Sequence, residues 1–402
     1  MMKAVELFTG AGGLGMGVSL AGFSPLAVVE RDRWACDTIR QNQSRGNPIV
    51  NGWPLYELDV RHFSYEDIDG EVDLVAGGPP CQPFSQGGRH RAFLDERDMF
   101  PETVRAIREL KPKAFIIENV KGLTRKTFAE YFNYIRLQLE FPEVVARENE
   151  EWLDHLGRLE RYQTSGSKDS STYEVVFRVL NAANYGVPQK RERIFFVGFR
   201  HDLHVEWTFP QETHSYDALL HSQWVTGEYW DYHGVAKKDR PSMEGRLRNR
   251  VEKLNVDVPS RSRWNTVRDA LKGMPDPEQK TGEIFLNHKF QPGARTYPGH
   301  TGSPIDLPAK TLKAGVHGVP GGENMLVKPS GEVRYFTVRE SARLQTFPDT
   351  YIFHGSWTET MRQLGNAVPL ALGQRVASSV AQALLKVQED QLKKSLAKAR
   401  LS

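Results

Sequence analysis

Short apolar runs alternate with helical patterns over the first 200 residues, and this alternation limits the fold more than any other feature. Strands are predicted at 3–8, 26–30, 72–76, 114–120, 173–180 and 193–199. Helices are predicted at 14–21, 34–43 and around 104–110. Such alternation is typical of an α/β domain, with a parallel sheet covered by helices on both faces.

The rest of the chain departs from this rhythm. An amphipathic helix and a polar loop around 141–172 are interpreted as an extension of the sheet domain. The α/β alternation is lost from about 201 to 335, where Pro, Gly, His, Trp and Arg are frequent. A helix is predicted at 338–345, and a long amphipathic helix with a basic end at 371–400.

Composition excludes several classes of protein. The chain has 402 residues, a net charge of +3 and a pI of about 8.7. Its two cysteines cannot build a disulfide framework, and nothing has zinc-ligand spacing, so no metal is expected. The first residues lead straight into a strand, without a signal peptide. No apolar run reaches the roughly 20 residues that a membrane span needs, so we expect a cytoplasmic protein.

A glycine-rich turn follows the first strand. Gly10-Ala-Gly12-Gly13-Leu14-Gly15 fits G-x-G-x-x-G, and Glu30 lies 20 positions after Gly10. This spacing suits a nucleoside at the carboxyl ends of the strands, with the carboxylate on its ribose hydroxyls. Both a nicotinamide dinucleotide and S-adenosylmethionine satisfy it. Trp34 is a candidate to stack on an adenine, and Asp59 to accept from the adenine amino group.

A proline-rich loop displays one of the two cysteines. Gly77-Gly78-Pro79-Pro80-Cys81-Gln82-Pro83-Phe84-Ser85 follows the strand at 72–76. Proline fixes the backbone φ angle, so this loop is stiff. A thiol held on a rigid strand-end loop is a candidate nucleophile.

Six ordered motifs together resemble the DNA (cytosine-5)-methyltransferases over nearly the whole chain. They are Phe8-Thr-Gly-Ala-Gly-Gly-Leu-Gly15, Gly78-Pro-Pro-Cys-Gln-Pro-Phe-Ser85, Glu118-Asn-Val120, Gln189-Lys-Arg-Glu-Arg193, Arg339-Glu-Ser-Ala-Arg-Leu-Gln-Thr-Phe-Pro348 and Gly365-Asn-Ala-Val-Pro369. The resemblance implies a Rossmann-like S-adenosylmethionine domain at 1–200 plus 363–402. It also implies a smaller, irregular or β-rich target-recognition domain at 201–335 and a connecting hinge at 336–362.

The resemblance implies that S-adenosylmethionine is the cofactor. Its candidate binding residues are Phe8, Gly10, Gly12, Gly13, Leu14, Glu30, Trp34, Asp59, Pro80, Asn366 and Val368.

The chemistry explains the catalytic residue types. Carbon 5 of cytosine becomes nucleophilic when a thiolate adds to carbon 6, a role the resemblance gives to Cys81. Glu118 would donate a hydrogen bond or proton to N3, which requires a raised pKa. Arg191 and Arg193 have period-two spacing on a strand, so both face one side. In the family such arginines fix the cytosine O2 and orient the glutamate. Asn119 is a candidate to hold the Pro79-Pro80 loop.

The implied partner is double-stranded DNA, with the target cytosine flipped out of the helix. Residues 86–100 are interpreted as a mobile lid. Candidate DNA contacts are Ser85, Arg89, Arg91, Arg97, Arg246, Arg248, Arg261 and Arg263. We expect a monomer on DNA, associated with the nucleoid, with a restriction endonuclease as its genetic partner.

Three alternatives stay open. The branch of the family that methylates transfer RNA shares the chemistry, but it carries a Cys-Phe-Thr signature, and no cysteine follows Cys81 here. A nicotinamide oxidoreductase would leave the Pro-Pro-Cys-Gln and Gln-x-Arg-x-Arg motifs unexplained. A non-catalytic DNA-binding relative would not need Cys81, Glu118, Arg191 and Arg193.

Overall fold

The centre of the molecule is a seven-stranded sheet. The computed structural model describes residues 1–80, 98–166, 170–279, 285–315 and 324–399. The strands are β1 (Met2–Leu7), β2 (Phe23–Glu30), β3 (Leu55–Glu57), β4 (Leu74–Gly77), β5 (Ala114–Val120), β6 (Tyr173–Asn181) and β7 (Glu192–Arg200). Their order is β3-β2-β1-β4-β5-β7-β6. All six predicted strands are confirmed, and the short edge strand β3 is added.

The prediction of a fully parallel sheet is wrong at β7. This strand runs antiparallel to both of its neighbours, β5 and β6. The physical reason is the connection from β6, which is only residues 182–191 and contains a 3₁₀ turn instead of a crossover helix. As a result the start of β7 lies beside the end of β5, with Val120 opposite Arg193.

Helices cover both faces of the sheet, as predicted. They are α1 (Gly13–Leu20), α2 (Arg33–Ser44), α3 (Phe100–Leu110), α4 (Ala129–Glu140), α5 (Trp152–Ser165) and, from the end of the chain, α12 (Leu370–Ala399). Apolar side chains of α3, α4 and α5 pack on one face, and those of α1 and α12 on the other. Helix α4 is not predicted from the sequence.

Within its described residues, the segment 201–335 contains only short elements. They are β8 (His214–Ser215), α6 (Tyr216–Leu220), α7 (Glu228–Tyr232), α8 (Arg248–Leu254), β9 (Ser262–Arg263), α9 (Val267–Leu271), β10 (Ser303–Pro304), β11 (Met325–Val327) and β12 (Val333–Tyr335). The segment is irregular, as expected, but not β-rich, since its described strands have two or three residues each. Trp230 and Trp264 are buried in one of its apolar clusters.

Two further helices lead the chain back to the sheet. Helix α10 (Val338–Leu344) begins with a capping box between Thr337 and Glu340, and α11 (Trp357–Asn366) follows it. Arg339 is fully buried and donates hydrogen bonds to three backbone carbonyls. Among the described residues, no helix is both long and apolar enough to span a membrane.

Candidate active site

A cavity of about 510 Å³ opens at the carboxyl ends of the central strands. The lining includes most of the predicted cofactor and catalytic residues for which coordinates are described: Phe8, Gly10, Leu14, Glu30, Asp59, Pro80, Glu118, Arg193, Asn366 and Val368. These residues come from both ends of the sequence, because α11 and the start of α12 close over the glycine turn. This volume is in the range of small-molecule sites.

The glycine turn has the backbone geometry that its sequence predicts. Gly10 has a φ of +55° and Gly12 a φ of +91°, in the left-handed region that favours glycine. Phe8 also lies there, at +53°, although it carries a side chain. Strained residues of this kind cluster at ligand sites, and Phe8 lines the cavity.

Gly12 and Gly13 serve the site indirectly, since neither lines the cavity. A Cβ atom on Gly13 would lie 2.4 Å from the carbonyl oxygen of Val368, a distance that real structures do not tolerate. Gly13 therefore lets the segment around Val368 approach the turn. The structure therefore places Gly13, which was predicted to bind the cofactor, in a packing contact.

Glu30 is the buried carboxylate beside the turn. Its Oε2 accepts from the Gly10 N–H at 2.8 Å, and its Oε1 accepts from the Asp32 N–H at 2.7 Å. Burial raises the pKa of Glu30, which the two backbone donors partly offset. A carboxylate has about four acceptor sites, so Glu30 retains capacity to accept from a further hydroxyl.

The structure does not bring Trp34 to the cavity. Its ring stacks on His354 with centroids 5.6 Å apart and is 40% exposed. Trp34 lies in the first turn of α2, which directs it away from the strand end. Arg31 lines the cavity instead, and its guanidinium is 3.4 Å from Asp59. The sequence analysis did not include Arg31 among the candidate cofactor residues. Its position directly after Glu30, at the end of a strand, could have indicated such a role.

Asp59 lines the cavity, and its carboxylate is hydrogen-bonded within the protein. Both oxygens accept from the Arg61 side chain, at 2.9 and 2.7 Å. These hydrogen bonds lower the pKa of Asp59 well below its ordinary value. Asp59 is therefore an ionised acceptor at the rim.

Glu118 is the central titratable group of the cavity. Its carboxyl is buried near the end of β5, and Arg193 Nε lies 2.9 Å from its Oε1. Burial raises the pKa of Glu118, while the nearby charges of Arg193 and Arg191 pull that pKa down. The arginines orient the carboxyl without abolishing its raised pKa, so it can hold a proton.

Arg191 and Arg193 both influence Glu118, in keeping with their predicted common face, but their contacts differ. Arg191 is fully buried and donates to the carbonyl oxygens of Leu312, at 3.1 Å, and Gly365, at 2.7 Å. Gly365 precedes the cavity residue Asn366. Arg191 therefore ties the strand to two distant segments, whereas Arg193 is the arginine that contacts the carboxyl.

The loop that carries the predicted nucleophile is held from β5. Asn119 Nδ2 donates to the Pro79 carbonyl at 3.0 Å, which confirms the predicted role of Asn119. A Cβ on Gly78 would lie 3.1 Å from Glu118 Oε2, so glycine gives the carboxyl room. Cys81 itself lies outside the described residues.

The predicted DNA contacts fall into two groups. Ser85, Arg89, Arg91 and Arg97 lie outside the described residues, as does most of the 86–100 segment.

The other four candidates are in the described part of 201–335. Arg246 pairs with Glu244 at 2.5 Å, and Arg261 with Glu212 at 2.7 Å, both at the surface. Arg263 donates to both oxygens of Asp269 at 2.7 Å, so its role there is structural. Arg248 is exposed, with no ion pair to a described residue.

Comparison with known proteins gives one consistent result. The family model for the C-5 cytosine-specific DNA methylase matches residues 2–142 and 140–382. The type II methyltransferase M.PspPI of Psychrobacter is 31% identical over 94% of this chain and 78% of the relative. The type II methyltransferase M.NgoMIV of Neisseria gonorrhoeae is 30% identical over 95% of this chain and 98% of the relative.

Solved structures agree on the fold. A DNA modification methyltransferase encoded within an Escherichia coli prophage superposes with a TM-score of 0.58 at 21% identity, covering 96% of this chain and 99% of that one. The Dnmt2 methyltransferase of Schizosaccharomyces pombe gives a TM-score of 0.54 at 16% identity over the same fractions.

Proposed function

The chain belongs to the family of C-5 cytosine-specific DNA methylases, and on this premise we propose which of its residues perform the reaction. It is a DNA (cytosine-5)-methyltransferase that uses S-adenosylmethionine. We assign the nucleophile to Cys81, the acid to Glu118 and the positioning of that acid to Arg193 and Arg191. The observation that carries this assignment is the buried Glu118 carboxyl, 2.9 Å from Arg193, in the same cavity as the glycine turn.

Three pairs of residues would hold the cofactor. The Gly10–Glu30 pair suits the ribose, because the Glu30 carboxylate is fixed by two backbone donors and retains acceptor capacity. Arg31 and Asp59 form the rim beside it. Asn366 and Val368, from the C-terminal part of the chain, also line the cavity. The bound cofactor supplies an electrophilic methyl group on a sulfonium.

The chain's own residues would activate the base. The Cys81 thiolate adds to carbon 6 of cytosine, and the ring electrons move toward N3. Glu118, kept protonated by burial, donates its proton to N3. Carbon 5 then forms a bond to the methyl group, and the pair of the broken carbon–sulfur bond stays on sulfur, which leaves as a neutral thioether. Loss of the carbon 5 proton, departure of the thiolate and return of the N3 proton to Glu118 restore the aromatic ring and free Cys81.

The finer biological role is also a proposal. The names of the two relatives support a modification enzyme of a type II restriction system. We expect it to act on double-stranded DNA as a monomer. We divide the chain into a catalytic domain at 1–200 plus 363–402, a target-recognition domain at 201–335 and a connection at 336–362. We expect a cytoplasmic enzyme at the nucleoid, with a cognate endonuclease as its genetic partner.

Two measurements test the proposal. Purified protein incubated with S-adenosylmethionine and genomic DNA should yield 5-methyldeoxycytidine in one sequence context by bisulfite sequencing. The variant Glu118→Gln should bind the cofactor normally and lose most of the activity. Methylation of transfer RNA but not DNA would refute the assignment of substrate, and an unaffected Glu118→Gln variant would refute the assignment of the acid.

The division into domains has its own test. Residues 201–335 are replaced by the matching segment of a relative with known specificity, and methylated sites are mapped. An active chimera that acquires the donor's target supports the division. A chimera that keeps the original target contradicts it.

A further inference from the structure

A basic turn continues directly from the catalytic strand. After β5 the chain forms two 3₁₀ turns, Lys121–Thr124 and Lys126–Phe128. Asn119 and Val120, the last residues before the turns, line the cavity, and Val120 is 42% exposed. The first turn therefore begins at the rim of the cavity that contains Glu118, and the second turn follows it directly.

All charged residues in these two turns are basic. Residues 121–128 contain three cations, Lys121, Arg125 and Lys126, and no acidic residue. Lys121 pairs with Glu192 at 2.8 Å, which joins the turn to the start of β7. Arg125 and Lys126 are exposed, and no ion pair or side-chain hydrogen bond joins either to the described part of the chain.

Several arginines of 201–335 differ in this respect, although Arg248 is exposed and unpaired among the described residues. Arg246, Arg250, Arg261 and Arg263 each pair with a carboxylate. A phosphate would have to compete with that carboxylate for each of them. At the catalytic rim, Arg125 and Lys126 are available without such competition.

We propose that Arg125 and Lys126 bind the DNA phosphates beside the cytosine that enters the cavity. When a base enters a pocket, its charged phosphodiesters remain at the rim, where cations hold the backbone in position. Lys121 keeps its ion pair with Glu192 and fixes the turn. This proposal rests on the proposed function, and it gives both residues a positioning role that is independent of base sequence.

The salt dependence of DNA binding tests the proposal. Two lost phosphate contacts should reduce the slope of log K against log salt by about 1.8, at ~0.9 per contact. Between 50 and 200 mM salt the wild type should therefore lose ~12-fold more affinity than Arg125→Gln/Lys126→Gln. Target and non-target duplexes should be affected alike in fluorescence anisotropy. The KM for DNA should rise while kcat at saturation stays near the wild-type value.

Matched variants control for net charge and folding. Lys386→Gln/Lys394→Gln removes two charges from exposed positions of α12 that, like Arg125 and Lys126, have no ion pair to a described residue, and it should leave the slope unchanged. Arg125→Lys/Lys126→Arg should retain the wild-type slope. If the glutamine pair destabilises the protein, Lys126→Gln alone should reduce the slope by about 0.9.

The outcomes separate this proposal from the proposed function. Wild-type protein that neither binds S-adenosylmethionine in calorimetry nor methylates DNA would refute the function. If the wild type does both and the Arg125→Gln/Lys126→Gln slope is unchanged, the rim proposal alone is overturned. The same holds if the α12 control loses as much slope as the rim variant.

Discussion

Replacing Glu6 by glutamine should change how protein stability depends on pH. Glu6 lies in β1, is 2% exposed, and neither of its carboxyl oxygens has a hydrogen-bond partner among the described residues. It packs beneath the glycine turn, where its Cγ would be 3.3 Å from a Cβ on Gly15. Burial raises the pKa of Glu6 from an ordinary value of 4.5 to about 8.

The sign and size of the effect follow from this pKa. Because the folded-state pKa is higher than the unfolded one, the stability contributed by protonated Glu6 is complete below pH 4.5 and is lost as the pH rises to about 8. A shift of this size corresponds to a loss on the order of 4–5 kcal/mol, at ~1.36 kcal/mol per pKa unit. With an unfolding entropy of roughly 0.8 kcal/mol/K for a chain this long, Tm should fall by about 5 °C.

The assay compares thermal unfolding of wild type and Glu6→Gln at several pH values between 5 and 9. Other titrating groups are common to both proteins, so the difference in Tm isolates Glu6. Between pH 5 and pH 9 the Tm of the variant should rise by about 5 °C relative to that of the wild type. This change is independent of the difference in Tm between the two proteins at pH 5. A Tm difference that stays constant from pH 5 to pH 9 would refute the reasoning.

Three further predictions concern the cavity. Glu30→Gln should weaken S-adenosylmethionine binding at least tenfold in calorimetry, since an amide nitrogen would face the Gly10 or Asp32 N–H, at a cost on the order of 1.5–3 kcal/mol. Unchanged affinity would contradict it. Gly78→Ala should reduce methylation roughly tenfold with normal cofactor affinity, because its Cβ would displace the Glu118 carboxyl; full activity would count against this geometry. The methylation rate should decline as pH rises through the raised pKa of Glu118, and that decline should be absent from the residual activity of Glu118→Gln.

Local sequence patterns were sufficient to predict most strands of the sheet and the part of the site around Gly10 and Glu30. The apolar runs predicted each main strand, and the twenty-residue spacing of Gly10 and Glu30 corresponds to a direct hydrogen bond of 2.8 Å. Strand direction was not predictable in this way, because parallel and antiparallel strands share the same period of two. The antiparallel β7 follows from a short connection, and that connection is what brings Arg193 to Glu118.

Side chains whose partners are distant in sequence were the ones misjudged or missed. Trp34 was expected at the adenine, but the start of α2 turns it toward His354, 320 positions later in the chain. Arg191 binds carbonyls at Leu312 and Gly365, contacts that no local pattern encodes. Arg263 is an exception: it was predicted to contact DNA, but it pairs with Asp269, only six positions later.

The most direct test of the central claim is covalent trapping of the reaction intermediate. Wild-type protein is incubated with S-adenosylmethionine and a target duplex that contains 5-fluorocytosine, from which the carbon 5 fluorine cannot leave as a proton does. The account predicts a denaturant-stable protein–DNA complex for the wild type and for the rim variant Arg125→Gln/Lys126→Gln at saturating DNA, but none for Cys81→Ala. An equal yield of complex from Cys81→Ala would contradict it.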